Sequence, residues 1–186
     1  MKNLNIFMTG VGGQGIGMLS EILVRAVDYA GYDFKGVDTH GLAQRGGTVV
    51  SQLRIGENIH SPLIEKGEAD IVIALERHEA LRSGLEMLRN DGTLVWYDTS
   101  WQPLPVRLGA EKEITTETVI DKVLCKKNIR VFRQNLPDTR MQNIAVLSQI
   151  VKNDLIKGMD LETCKKAMAD LMSEKLLNIN LKVLED

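Results

Sequence analysis

With 186 residues, 44% of them apolar and 26% charged, the chain has material for one well-buried domain and the balance of an ordinary globular protein. A net charge of −2 with interspersed acids and bases gives no field for nucleic acid or a membrane surface, and 4% aromatics is too few for base stacking. Two cysteines, Cys125 and Cys164, cannot build a four-cysteine cluster, and His40, His60 and His78 share no ligand spacing with them, so no metal is expected on this chain.

In chain order, Leu4 to Met8 is a short β run, followed by Gly10-Val11-Gly12-Gly13-Gln14-Gly15 and, from Ile16, an amphipathic helix. Ile16, Leu19, Leu23, Ala26, Val27 and Ala30 share one helix face, Glu21, Arg25 and Asp28 the other, and Gly31 stands at the C-cap position. A strand, a glycine-rich turn and a helix leave first-turn N–H groups open to an anion or to another backbone. A side chain at Gly12 or Gly13 would block that approach, and some of these glycines are expected at φ > 0. Gly10-x-Gly12-x-x-Gly15 also fits the dinucleotide fingerprint, with Asp38 near the spacing of a ribose-binding carboxylate. A turn whose glycines serve packing or a protein interface fits the pattern as well.

Phe34 to Thr39 reads as a second strand running into Asp38-Thr39-His40-Gly41, and Val49 to Ile55 alternates as a third strand. Between them lie a polar loop and a second glycine pair, where a dinucleotide fold would place a crossover helix; this weighs against a dinucleotide. Ile59 to Ile64, broken by Ser61-Pro62, is an edge or loop piece. Ala69 to Leu75 is a continuous apolar run suited to the centre of a sheet. Glu76 to Arg89 places Leu81, Leu85 and Leu88 at helical spacing, Asn90-Asp91-Gly92 supplies a turn, and Thr93 to Tyr97 is a strand.

Asp98 to Pro105 is a loop with Trp101 as a packing plug, and Thr115 or Thr116 opens a helix reaching Leu124. Ile129 to Phe132 is the last strand, followed by helices over Met141 to Ile156 and Asp160 to Leu177, the second capped by Asp160. Met168 and Met172 read as core filler, Cys164 as buried and inert, and His60 and His78 as surface residues. The expected fold is α/β: a single three-layer domain over residues 1–186, with a Rossmann-like, mostly parallel sheet and C-terminal helices. No run of about 20 apolar residues and no charged-then-apolar leader occurs, so the expected location is cytoplasmic, with no membrane partner.

Three segments taken together, Gly10 to Gly15, Asp38-Thr39-His40-Gly41-x-Ala43-Gln44-Arg45-Gly46-Gly47 and Asp70 to Ala74, resemble the gamma-type module of the 2-oxoacid:ferredoxin oxidoreductases. The His-Gly-x-Ala-Gln-Arg-Gly-Gly wording is most similar to the small (beta) subunits of the indolepyruvate branch of that family. The resemblance implies a subunit of an enzyme that decarboxylates a 2-oxoacid with thiamine diphosphate, passes electrons through iron–sulfur clusters to ferredoxin and makes an acyl-coenzyme A. It places thiamine diphosphate, Mg and the 4Fe-4S clusters on a large partner subunit, leaves no cofactor on this chain, and makes coenzyme A a cosubstrate. The absence of Gly-Asp-Gly and the count of two cysteines agree with that division.

No catalytic residue is expected here. Gly10, Gly12, Gly13, Gln14, Gly15, His40, Gln44, Arg45, Gly46 and Gly47 are the candidates for contact with a ligand or with the partner subunit. Arg45 can fork a carboxylate or phosphate, or pair with an acid across an interface; Gln14 can bond the neighbouring loop instead of a ligand, and His40 can be structural. Aryl pyruvates are the favoured substrates, with pyruvate, 2-oxoglutarate or branched-chain oxoacids as the alternative, and a freestanding NAD-binding protein as a rival from another class.

Overall fold

A six-stranded mixed sheet in the order β2-β3-β1-β4-β5-β6 runs through the computed structural model of the chain, which describes residues 3–40, 47–101, 106, 108–110 and 112–186. The strands are β1 (Leu4–Val11), β2 (Phe34–His40), β3 (Thr48–Ile55), β4 (Ala69–Ala74), β5 (Leu88–Tyr97) and β6 (Lys127–Val131). β1, β4, β5 and β6 pair in parallel, while β3 is antiparallel to both β1 and β2. β3 therefore stands between the first two strands, paired antiparallel with each.

Helices cover both faces. On one lie α1 (Ile16–Tyr29), α4 (Gln142–Lys152), α5 (Leu161–Leu171) and α6 (Glu174–Glu185), packed with Ile6, Met8, Leu19, Leu23, Ile73, Val95, Ile144 and Leu147 into the larger core. On the other, α2 (Arg77–Glu86) and α3 (Thr116–Lys122) cover Phe7, Val72, Leu94 and Trp96. β4 presents its apolar side chains to both cores, which is why its sequence is continuously apolar. The three-layer α/β expectation, mostly parallel with C-terminal helices, is met. Gly31 sits past the end of α1 at φ +77° and donates to the Asp28 carbonyl, Thr115 caps α3 and Asp160 caps α5.

Local readings fail where packing overrides periodicity. The leucine spacing over Leu81, Leu85 and Leu88 does not mark the buried face of α2: that face is His78, Glu79, Ala80, Ser83 and Gly84, and Leu85 is 59% exposed. Small residues are needed because α3 lies close above, and a Cβ on Gly84 would stand 2.7 Å from Val123 Cγ1. Leu88 opens β5, so the expected Asn90-Asp91-Gly92 turn is an irregularity within that strand, opposite a register shift between Ala69 and Ile71. His78, expected at the surface, is buried. α3 stops at Lys122, short of the predicted Leu124. The predicted helix over Asp160 to Leu177 is two helices, α5 and α6, separated by extended backbone at Met172 and Ser173.

Cys164 is wholly enclosed, and burial pushes its thiol up to about 12. Met168 is fully buried in the same core, whereas Met172 is only partly buried against it. Among the described residues, no helix is long and apolar enough to cross a membrane.

Gly84→Ala is expected to lower the unfolding free energy by about 1–3 kcal/mol through overpacking. Val123→Ala introduced into the same chain should recover part of the loss, read as non-additivity in a urea-unfolding double-mutant cycle.

Candidate functional site

α1 and α2 leave the sheet on opposite faces from the neighbouring strands β1 and β4, so the crevice between the C-terminal ends of those strands is the sheet's topological switch point. The glycine turn lies over it. Gly13 and Gly15 have φ of +103° and +85°, and Gly15, the N-cap residue of α1, is backed by Asn143: a Cβ there would stand 2.6 Å from Asn143 Nδ2. Asn143 Nδ2 also donates to the Gly15 carbonyl at 3.1 Å, which ties the turn to the start of α4. Gly10 is equally close-fitted, 3.0 Å from Gln14 Oε1 and from Ile16 Cγ1 at its Cβ position.

Gln14 fills the crevice itself. Its side chain is 0% exposed; Oε1 accepts from Val11 N–H at 2.7 Å and Nε2 donates to the Leu75 carbonyl at 2.8 Å. The amide thus continues the β1–β4 pairing one step beyond the strands. Of the turn's own amides, Val11 N–H is held by Gln14, Gln14 N–H by the Val11 carbonyl, and Gly12 N–H by the Gly47 carbonyl at 2.9 Å. This last bond joins the two glycine motifs. Gln44, Arg45 and Gly46 lie outside the described residues, as does the His40 side chain; His40 backbone ends β2 opposite Val49.

Beneath this junction sits Glu79, which spacing alone did not single out. Its carboxylate accepts from Thr9 Oγ1 at 2.7 Å and from Thr48 Oγ1 at 2.9 Å, and pairs with Arg82 at 2.5 Å. One buried carboxylate therefore pins the end of β1 to the start of β3, where both glycine loops depart. Glu76 caps α2, accepting from His78 N–H and Glu79 N–H, with His78 Nδ1 at 3.1 Å; burial pushes its carboxyl up, and those donors offset the push only in part. His78 Nε2 accepts from Ile114 N–H at 3.3 Å, so the imidazole has a structural place on this helix.

At the end of β5, Asp98 is 2% exposed and accepts from Arg77 Nε at 2.5 Å, from Thr116 Oγ1 and from Arg130. Burial alone would raise its carboxyl; the donors from Arg77, Thr116 and Arg130 prevail and hold it below the ordinary aspartate value. Trp101 follows, 39% exposed and 3.8 Å from the Cβ position of Gly13, so it is a half-open cover on the glycine turn and not the expected buried plug. Asp38 on β2, the ribose-carboxylate candidate, accepts from Ser20 Oγ of α1, and β3 stands between β2 and the glycine strand. A nucleotide lying over the β1 turn would find its second strand position taken by β3 and the crevice filled by Gln14.

A family model described as "Pyruvate ferredoxin/flavodoxin oxidoreductase" matches residues 5–186. The chain belongs to this family. Among curated relatives it is 36% identical over 192 residues to "Indolepyruvate oxidoreductase subunit IorB" of Archaeoglobus fulgidus, covering 98% of this chain and 92% of that one. The protein of the same name from Thermococcus kodakarensis is 28% identical over 195 residues, covering 100% and 94% of the two chains. Solved structures share the fold: the gamma subunit of a keto/oxoacid ferredoxin oxidoreductase from Geobacter sulfurreducens has a TM-score of 0.64 at 17% identity, with 98% and 94% coverage. Pyruvate oxidoreductase subunit PORC from Thermotoga maritima has a TM-score of 0.68 at 17% identity, with 99% and 94% coverage.

For a member of the pyruvate ferredoxin/flavodoxin oxidoreductase family, this site offers shape and hydrogen-bonding backbone more than reactive groups. Among the described residues no three His, Cys, Asp or Glu side chains are gathered to hold a metal.

Gln14→Ala would strand Val11 N–H and the Leu75 carbonyl away from water, and should cost about 2–4 kcal/mol in denaturant unfolding. NAD added to the wild-type chain should leave the melting temperature unchanged, since a site binder would raise it in proportion to ligand excess. Because the Asp98 carboxyl is depressed on folding, its contribution is present above the ordinary aspartate range and lost as pH falls through the lowered value. Stability of the wild type should drop as pH falls below about 4, the ordinary aspartate value, and Asp98→Asn should flatten that acid limb in pH-dependent unfolding.

Proposed function

We propose that the chain is the non-metal subunit of a thiamine diphosphate-dependent indolepyruvate (aryl pyruvate):ferredoxin oxidoreductase. The observation that carries the reading is the match, over nearly the full length of both proteins, to a relative named as an indolepyruvate oxidoreductase subunit. The reaction so assigned to the complex is oxidative decarboxylation of the aryl pyruvate to its acyl-coenzyme A, with the electrons passed to ferredoxin. The isolated chain carries none of it alone.

The residues present do not fit an iron–sulfur cluster. Such clusters take four thiolates, and the two cysteines here lie in different places: Cys164 inside the core, and Cys125 after α3 with its thiol raised by burial. Thiamine diphosphate, Mg and the clusters therefore belong, on this reading, to a large companion subunit, and no step of the chemistry is assigned to this chain's side chains.

Its own contribution is a preformed docking edge. Gln14, Glu79 and Asn143 hold the glycine turn rigidly, and the bond from Gly12 to Gly47 makes the two motifs one surface. Gly10, Gly12, Gly13, Gly15, His40, Gln44, Arg45, Gly46 and Gly47 are proposed to meet the companion or the coenzyme A that reaches the active centre; Gln14 acts from inside, as the support of that surface. A 2-oxoglutarate:ferredoxin oxidoreductase from Magnetococcus marinus, described with 2-oxoglutarate, coenzyme A and succinyl-CoA bound, contains a region of this fold that the chain covers fully, at a TM-score of 0.70 and 15% identity, over 30% of its own length. Coenzyme A as cosubstrate is consistent with that kinship of fold.

Co-expression with the large subunit should give a stable complex that reduces ferredoxin with indolepyruvate at a higher kcat/KM than with pyruvate or 2-oxoglutarate. The chain alone should be colourless and inactive. Arg45→Ala should weaken assembly in analytical gel filtration if residues 40–47 meet the companion, or raise the KM for coenzyme A in the assembled enzyme if they meet the cosubstrate. A variant with neither effect would remove Arg45 from the surface, and a complex preferring pyruvate would remove the aryl substrate.

A further inference from the structure

β2 is an edge strand: β3 lies on one side of it, and among the described residues no strand pairs with the other. In an antiparallel pair about every second residue of the outer strand turns its N–H and C=O away from its neighbour, so an open edge carries a row of unpaired donors and acceptors. β2 keeps seven residues in unbroken register with β3, and no proline interrupts it. Such an edge can accept a further strand.

Along this edge, between β2 and α1, runs a groove of about 640 Å³. Val24, Phe34, Val37 and Leu171 give it apolar walls and are only partly buried. Glu21 and Asp28, both exposed, flank Val24 on α1, one helical turn to either side. Asp38 stands at the Glu21 end, where Ser20 Oγ donates to it at 3.0 Å. None of these three carboxylates has a cation partner among the described residues, and Arg25, which also lines the groove, pairs with Asp170 at 3.7 Å.

Two residues here do not serve the fold. Asp28 lies in the last turn of α1, which holds no basic residue, and a negative charge at that end opposes the helix dipole. Gly36, at the centre of β2, has no positive φ, and a Cβ there would meet Gln52 O at 3.7 Å and Leu53 Cδ1 and Val24 Cγ2 at 3.8 Å, which is ordinary contact. Glycine costs entropy in a strand interior; its effect here is to leave the groove bare beside Val24. A second copy of the chain would set the same surplus of acid against this one, so charge weighs against self-pairing.

We propose that β2 takes up an extended segment of a partner protein as a seventh strand. An apolar side chain of the segment sits against Val24, Phe34 and Leu171, and a lysine or arginine two residues to either side faces Glu21 and Asp38 at one end and Asp28 at the other. Side chains two apart on a strand share a face, so a basic-x-apolar-x-basic segment covers roughly 13 Å at about 3.3 Å per residue, the same span as Phe34 to Asp38. The edge and the groove carry this inference independently of the function proposed above.

Titration of the full chain with an acetylated peptide centred on Lys-Thr-Val-Thr-Lys, followed by ¹⁵N-edited NMR, tests it. The Gly36 and Val37 amide signals should move and β2 amides should exchange more slowly with deuterated water, while β6, at the other edge of the sheet, is unchanged. The same peptide with both lysines replaced by glutamate, or both threonines by proline, should not bind. Glu21→Gln combined with Asp28→Asn should weaken binding roughly twofold to thirtyfold, the range for two exposed ion pairs, with the melting temperature level or raised because Asp28 opposes the dipole. β2 signals unmoved by the lysine peptide, or unchanged affinity in the double variant, would overturn the proposal. So would equal binding of the proline peptide, which means adsorption of charge without strand pairing, or β2 shifts that follow protein concentration alone, which mean that a second copy holds the edge.

Discussion

The side-chain amide of Gln14 bridges Val11 and Leu75 at the place where β1 and β4 diverge, and the rest of the site is arranged around that bridge. A sheet whose helices leave on opposite faces opens a crevice at that point, and in many α/β proteins a ligand fills it. Here a residue of the chain fills it, presenting the donor and acceptor that a further strand residue would have presented. The glycine turn above is consequently a supported surface rather than the wall of a nucleotide pocket, and its freedom to meet something else lies on its outer side.

Charged groups buried below the turn act in the same direction. A buried carboxylate is costly unless each oxygen finds donors, and both Glu79 and Asp98 are surrounded in that way, by Thr9, Thr48 and Arg82 and by Arg77, Thr116 and Arg130. Each draws together segments distant in sequence: Glu79 joins the ends of β1 and β3 to α2, and Asp98 joins the starts of α2 and α3 to the last strand. The physical effect is to fix where the loops leave the sheet. With the loop ends fixed, an interface built from glycine backbone can be complementary without side chains of its own.

This fits a chain whose relatives are named as subunits of an indolepyruvate oxidoreductase. The glycine turn is held from below, with a half-open tryptophan beside it. The inverse arrangement, a self-contained active site, would gather titratable groups around an open pocket; here Glu79 and Asp98 are saturated by their neighbours.

Much of this was legible in the residues alone. The alternation of Val49 to Ile55, the continuous apolar run at Ala69 to Leu75, the glycines at the start of α1, the caps Thr115 and Asp160 and the shortage of cysteines follow from local propensity and counting, and they placed the fold and its order of elements, while the family came from the resemblance of three motif segments. Tertiary structure decided what local patterns do not contain. Leu85 is exposed and Gly84 buried because α3 lies over α2, so the helix face was chosen by a neighbour and not by its own leucines. His78 went inside because Ile114, 36 residues away in sequence, and Glu76, the cap of its own helix, supply partners, and Gln14 became a support because Leu75, 61 residues away in sequence, offers it a carbonyl. Sequence determines which residues can turn, cap or pack; which of them meet is settled by the sheet order, since β3 lies beside β1 and β4 on its other edge.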